Sequence, residues 1–185
     1  MKKAAYALTL AVCFGFTGPA LAQGSATQGA ATSVQANDKK PDLTFDEARA
    51  AAERGEASAQ NSLGKMYAKG RGVAQDEAKA VSWYRKAADQ GLAEAQYNLG
   101  VMYVSGRGVA RDDAQAVSWF RKAAEQGDVD AQTNLGTMYL MGRGVARDIA
   151  EATAWYRKAA DQGDIGAQEA LRGMESGGQG LPKPQ

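Results

Sequence analysis

The chain has 185 residues, with 22 basic and 21 acidic side chains, one cysteine and no histidine. That length allows one domain or a short repeat array, and the near-neutral charge argues against a nucleic-acid partner, which needs a basic footprint. One cysteine without histidine leaves no conventional zinc site and no intrachain disulfide, and no metal or cofactor is expected.

Residues 1–22 read as a signal peptide. Lys2 and Lys3 give a basic start, the apolar run is too short to span a bilayer, and "ALA" precedes Gln23. Cleavage is expected after Ala22. A lipoprotein reading through Cys13 is disfavoured, because bulky Val12 stands where such boxes take a small residue. Losing residues 1–22 leaves 20 basic against 21 acidic side chains and no cysteine. The processed protein is expected in the periplasm or secreted, monomeric, and without membrane insertion. Residues 23–41 are small, polar and free of aromatics, which predicts a flexible linker. The tail at 176–185 has the same character.

Between them, residues 42–175 repeat. Blocks 55–90, 91–126 and 127–162 align without a gap at a period of 36 residues. Ala59, Leu63, Gly64, Met66 and Tyr67 return at 95, 99, 100, 102 and 103, and again at 131, 135, 136, 138 and 139. "GRGVA" returns at 70–74, 106–110 and 142–146, each followed by an aspartate (Asp76, Asp112, Asp148). A fixed period in this range marks stacked repeats.

In chain order, a short helix is predicted over 44–54, where Thr44 and Glu47 form a capping pair. Each block then predicts two helices. Ala59, Leu63 and Tyr67 make one stripe of the first, Gly70 ends it in the left-handed conformation, and Gly72 keeps the turn open. Asp76 caps the second helix, Asp148 with Glu151 has the capping-box pattern, and Gly91 closes it. Gly64, costly inside a helix by about 1 kcal/mol, points to a close approach by the Trp83/Tyr84 end of a neighbour. The phrase "WYRKAADQG" at 83–91 and 155–163, with "WFRKAAEQG" at 119–127, is therefore expected to pack repeat against repeat. Residues 164–175 align with a first helix in which Arg172 and Glu175 replace Gly136 and Tyr139, giving the polar outer face a terminal repeat needs.

The pattern "A…LG..Y..G.GV..D...A..WY.KAA..G" resembles the Sel-1-like repeat family, relatives of the tetratricopeptide repeats. The resemblance covers 44–175. It implies an all-α, right-handed α/α solenoid of three 36-residue helix-turn-helix repeats with half-repeat caps, used as a scaffold for protein–protein contacts and not as an enzyme. It also brings one catalytic alternative. Cysteine-rich exported members are described as penicillin-binding or β-lactamase-like, but they carry a cysteine pair per repeat. Ser62 and Lys65 in "SLGK" have the spacing of the serine/lysine pair in serine β-lactamases, without the "SDN" or "KTG" that should accompany it. The equivalents Asn98/Val101 and Asn134/Thr137 favour variable solvent-facing positions. The "GRGVA" glycines lack a P-loop lysine and serine, and three copies favour structure over phosphate binding.

Residues 55–162 hold 14 basic and 13 acidic side chains, so a solvated face is the default for the recurring cations. The candidate partner surface is sought where repeats differ. Taking 100° per residue, positions 61, 65 and 68 lie about 180–240° from Ala59, away from the core stripe. The columns read Asn61, Lys65, Ala68; Tyr97, Val101, Val104; and Thr133, Thr137, Leu140. Tyr97 and Val101 are expected to anchor a partner protein or peptide, together with Val104, Thr137 and Leu140. Asn61, Lys65 and Asn134 would form the polar rim. Burial of the apolar cluster by neighbouring helices is the equally open alternative.

Overall fold

The computed structural model describes residues 43–176, all within the unit Pro41–Gln185. The expected leader (1–22), the linker (23–41) and the tail apart from Ser176 lie outside the described residues. Among those described there are eight helices and no strand: α1 Phe45–Glu53, α2 Ala57–Lys69, α3 Glu77–Asp89, α4 Ala93–Ser105, α5 Asp113–Glu125, α6 Val129–Met141, α7 Ile149–Asp161 and α8 Ile165–Ser176. Each packs on the next in chain order, most extensively within the pairs α2/α3, α4/α5 and α6/α7. These pairs are three helix-turn-helix repeats, with α1 and α8 as half-repeats, and the architecture is an α/α solenoid.

Local chemistry sets the helix ends. Asp76, Asp112 and Asp148 accept the backbone N–H of Lys79 (2.9 Å), Gln115 (2.9 Å) and Glu151 (3.0 Å), satisfying amides that a helix start leaves unpaired. The reciprocal capping box forms at Thr44/Glu47. At Asp148 the aspartate caps alone. Gly70, Gly106 and Gly142 each end a first helix at φ 67°, a conformation that glycine adopts without strain.

Inside each repeat, a glycine receives an aromatic ring. A Cβ on Gly64 would lie 2.7 Å from the Tyr84 ring, on Gly100 2.7 Å from Phe120, and on Gly136 3.0 Å from Tyr156. The expectation for the aromatic phrase is thereby corrected at the notch, while Trp83 still packs with Ala51 and Ala52 of α1. The phrase's second aromatic, not its tryptophan, fills the glycine notch, and it does so within one repeat. Trp83 and Trp119 are only half-buried, each with a lysine ammonium 3.9 Å from the ring centroid (Lys86, Lys122). Trp155 is buried among residues of α3–α6, whereas Tyr156 joins Ala167 and Met174 of α8.

Two devices set the register between repeats. First, the loop glycines Gly108 and Gly144 lie against the backbone carbonyls of Glu77 and Asp113, leaving no room for a Cβ. Arg107 then donates to Glu77 (Nε–Oε1 2.7 Å), and Arg143 donates to Asp113 through Nε and a terminal nitrogen, both at 3.1 Å. The second loop glycine thus docks on the preceding repeat, beyond the open turn expected of it. Second, a glutamine relay crosses the array. Gln126 donates to Gln96 (2.7 Å), and Gln96 donates to the Ala88 carbonyl of the previous repeat (3.2 Å). The same pair of bonds joins Gln90, Gln60 and Ala52, and again Gln162, Gln132 and Ala124. Gln60, Gln96 and Gln132 are buried, where an unpaired amide would cost about 1–3 kcal/mol. At the ends Glu47, Arg172 and Glu175 are exposed, as a capped array requires.

Candidate partner-binding surface

The first helices meet one another along a seam where each contacts the N-terminal end of the next. Asn61 on α2 donates to Glu94 on α4 (2.7 Å) and accepts from Asn98 (2.9 Å). Lys65 is ion-paired with the same Glu94. One repeat further on, Tyr97 occupies the Asn61 position, its ring centroid 5.9 Å from that of Phe120. Burial pushes the Tyr97 hydroxyl above its ordinary value, with Asp130 and Asp128 adding to the effect and a hydrogen bond with Asn134 opposing it. Burial likewise raises the Asp128 carboxyl, despite the N–H of Ala131 that it accepts at 2.8 Å. In the third repeat Thr133 donates to Asp164 ahead of α8 (3.2 Å).

The outward orientation expected for Asn61 is therefore overturned. It is 2% exposed, because the next first helix covers it. Lys65 is half-buried and held by Glu94. Asn134 is half-buried, donating to the Asp130 carbonyl one turn back (2.8 Å). Thr137 is also half-buried and bonds both the Thr133 carbonyl (3.0 Å) and the Tyr156 hydroxyl (2.9 Å). Tyr97, Val101 and Val104 pack against the central core and keep part of their surface, and Leu140 does the same on the α6–α8 cluster. Met141, which follows Leu140, is 61% exposed. The sequence reading missed it: its equivalents Lys69 and Ser105 are polar, and that contrast was the available signal. Two partly exposed apolar pairs thus stand on the first helices, Val101/Val104 on α4 and Leu140/Met141 on α6, with Val104 and Leu140 at the same repeat position. They make up the strip, and Tyr97 lies in the seam between α4 and its neighbours.

Ser62 and Lys65 do not act on each other. The Ser62 hydroxyl donates to the Ser58 carbonyl (2.9 Å), and the Lys65 ammonium is taken by Glu94. Among the described residues no cluster of three or more His, Cys, Asp or Glu is placed to hold a metal. No helix among them is long and apolar enough to cross a membrane.

Docked glycines, capped helix pairs and a 36-residue register describe a repeat type, and comparison with known proteins names it. A Sel1 repeat profile matches 57–92, 93–128 and 129–164, more than half of the chain. The chain belongs to the Sel1 repeat family. The matched repeats begin two residues after those read from the sequence and keep the same period. Sel1 repeat proteins are typically scaffolds for protein–protein contacts. Among solved structures, c5321, a protective antigen present in uropathogenic Escherichia coli strains, is 50% identical with a TM-score of 0.73. That match covers 74% of this chain and 29% of c5321, so the present chain spans under a third of that protein. A Sel1 repeat protein from Oxalobacter formigenes is 41% identical with a TM-score of 0.64, covering 69% of this chain and 96% of its own. Helicobacter pylori cysteine-rich protein B, 23% identical with a TM-score of 0.54 over 70% of this chain and 98% of its own, shares the fold. No curated protein matches the chain.

Proposed function

We propose that this chain is an exported Sel1 repeat scaffold that holds a partner protein or peptide against the first helices of its second and third repeats. The observation that carries the reading is the partly exposed apolar set Val101, Val104, Leu140 and Met141 on the first helices of neighbouring repeats, at positions where the first repeat has Lys65, Ala68 and Lys69. Exposed apolar side chains of this kind favour a partner's side chains over water. Tyr97 braces the strip from the seam, and Lys65, Asn134 and Thr137 edge it. Asn61 supports the edge indirectly by fixing Glu94. Export rests on Lys2, Lys3 and "ALA" before Gln23, and a relative that is a protective antigen is consistent with it.

Two measurements test the reading. Crosslinking from the native envelope, with wild type and a Val101→Ser/Val104→Ser variant side by side, should show a partner band lost in the variant while its helical circular dichroism persists. An unchanged band from the folded variant would remove the strip from the interface. Intact mass of the exported protein should place its first residue at Gln23, and a chain retaining residues 1–22 would contradict export by cleavage.

A further inference from the structure

Five cations on the second helices behave differently from Lys79 at the start of α3 and from the paired cations of the loops and first helices. Arg107, Arg143, Arg111, Lys65 and Lys79 each sit on a carboxylate. Arg85 and Arg121 instead meet the hydroxyls and rings of Tyr103 and Tyr139, and Lys86, Lys122 and Lys158 lie over Trp83, Trp119 and Trp155. An aromatic face or a neutral hydroxyl orients a cation without cancelling its charge. These side chains are held in place and remain positive.

They also line repeated cavities. One of about 460 Å³ is bounded by Val81, Ser82, Arg85, Lys86, Asp89 and Val109. Another of about 350 Å³ is bounded by the residues 36 positions on: Val117, Ser118, Arg121, Lys122, Glu125 and Val145. A third, of about 560 Å³, shares Arg85 and Val109 with the first and extends it to Tyr103, Trp119, Asp112 and Arg111, the last paired with Asp113. Each of the two equivalent cavities thus offers two cations, one hydroxyl and an apolar floor of two valines, against a single carboxylate (Asp89 or Glu125).

A binding site that repeats with the protein suits a ligand that repeats as well. We infer that the second-helix face of α3 and α5 is a docking groove for an extended acidic peptide carrying a carboxylate about every third residue. The ligand's repeat is matched to the protein's: the two equivalent cavities recur once per 36-residue repeat, on α3 and on α5, and an acid every third residue of polyproline-type or extended chain, about 9–10 Å, is the register that the peptide series tests. The valine floor and the Trp119 and Tyr103 rings suit the apolar residues between the acids, as aromatic-lined grooves suit polyproline segments. The balanced charge of the repeats lacks a nucleic-acid footprint. None of these lining residues belongs to the first-helix strip, so this inference stands or falls apart from the proposed scaffold site.

The test is fluorescence anisotropy on the full chain at low salt with a labelled peptide of four Glu-Pro-Pro units. Saturable binding is expected, at least about tenfold tighter than for the Gln-Pro-Pro peptide and weakened by added salt. A peptide of identical composition with its four glutamates contiguous should bind several-fold more weakly. Arg85→Gln/Lys86→Gln/Arg121→Gln/Lys122→Gln should lose about tenfold or more, and Val101→Ser/Val104→Ser should lose nothing. If the fourfold variant melts early, Arg85→Gln/Arg121→Gln replaces it, and the wild-type peptide series stands by itself. The inference is overturned by absent saturable binding, by equal binding of the glutamine or contiguous peptide, by a folded variant that binds undiminished, or by tighter binding of an oligothymidylate of equal length.

Discussion

The first and second helices of each repeat divide the labour unequally. The second helices are near-copies, ending "WYRKAADQG", "WFRKAAEQG" and "WYRKAADQG", and each time the second aromatic fills the glycine notch and the glutamine makes the same bond. The first helices keep alanine, leucine and glycine at the core, yet solve the seam in three ways. Asn61 bonds Glu94, Tyr97 packs on Phe120 beside Asp128 and Asp130, and Thr133 bonds Asp164. In a stacked array each repeat needs the same nearest-neighbour interface, so the near-copies set the spacing. Positions that differ carry what is particular to this protein.

The comparison is broken most severely at the glycine notch. Phe120 is 1% exposed and fills the groove over Gly100, so Phe120→Ala should cost about 3–5 kcal/mol through the cavity it leaves. Trp119, its half-buried neighbour under Lys122, should cost less on truncation, about 1–3 kcal/mol. Urea melts of the two variants check the order. If Trp119→Ala proved the more damaging, the tryptophan and not the phenylalanine would be the repeat's structural anchor.

The loop dock comes next. A Cβ at Gly108 would run into the Glu77 carbonyl at φ +66°, and backbone atoms cannot step aside as a flexible side chain can. Gly108→Ala should therefore cost about 2–3 kcal/mol, and Gly72→Ala less, since its Cβ would meet only Phe45 Cβ at 3.2 Å. Equal melting points for the two would show that the loops do not set the register.

How much of this was legible in the sequence follows from the same division. The period, the capping aspartates, the left-handed glycines and the notch glycine were legible because each is local or recurs three times. The seam was not. A helical wheel placed Asn61 on the outward side because it describes one helix, while Glu94 of the next first helix covers that side. The glutamine relay recurred in plain sight at 60, 96 and 132 and at 90, 126 and 162. Polar side chains on a helix look solvent-facing until a neighbouring carbonyl is known to lie within reach. Recurrence shows that a residue matters to the array. It does not say which neighbour the residue touches.

The smallest expected effect separates the two loop docks from each other. Arg107 meets Glu77 alone, whereas Asp113 receives both Arg111 (2.8 Å) and Arg143 (3.1 Å). Hydrogen bonds from Arg111 and then Arg143 hold the Asp113 carboxyl well below the usual carboxylate range, against a smaller desolvation effect. A carboxyl depressed in the folded state stabilises the fold above its unfolded value, near pH 3.9, and that contribution fades as pH falls through the folded value. Both arginines are substantially exposed, with side-chain accessibilities of 59% and 36%, so water screens the pair and the contribution should be about 0.3–1 kcal/mol. Wild type should then melt about 1–4 °C above Asp113→Asn at pH 7. The gap should hold down to about pH 4 and close as the acid range deepens toward pH 2. Molar salt at pH 7 should shrink it as well. A gap that stayed constant from pH 7 to pH 2 would mean that Asp113 docks the loop by shape and neutral hydrogen bonding, with its charge adding nothing.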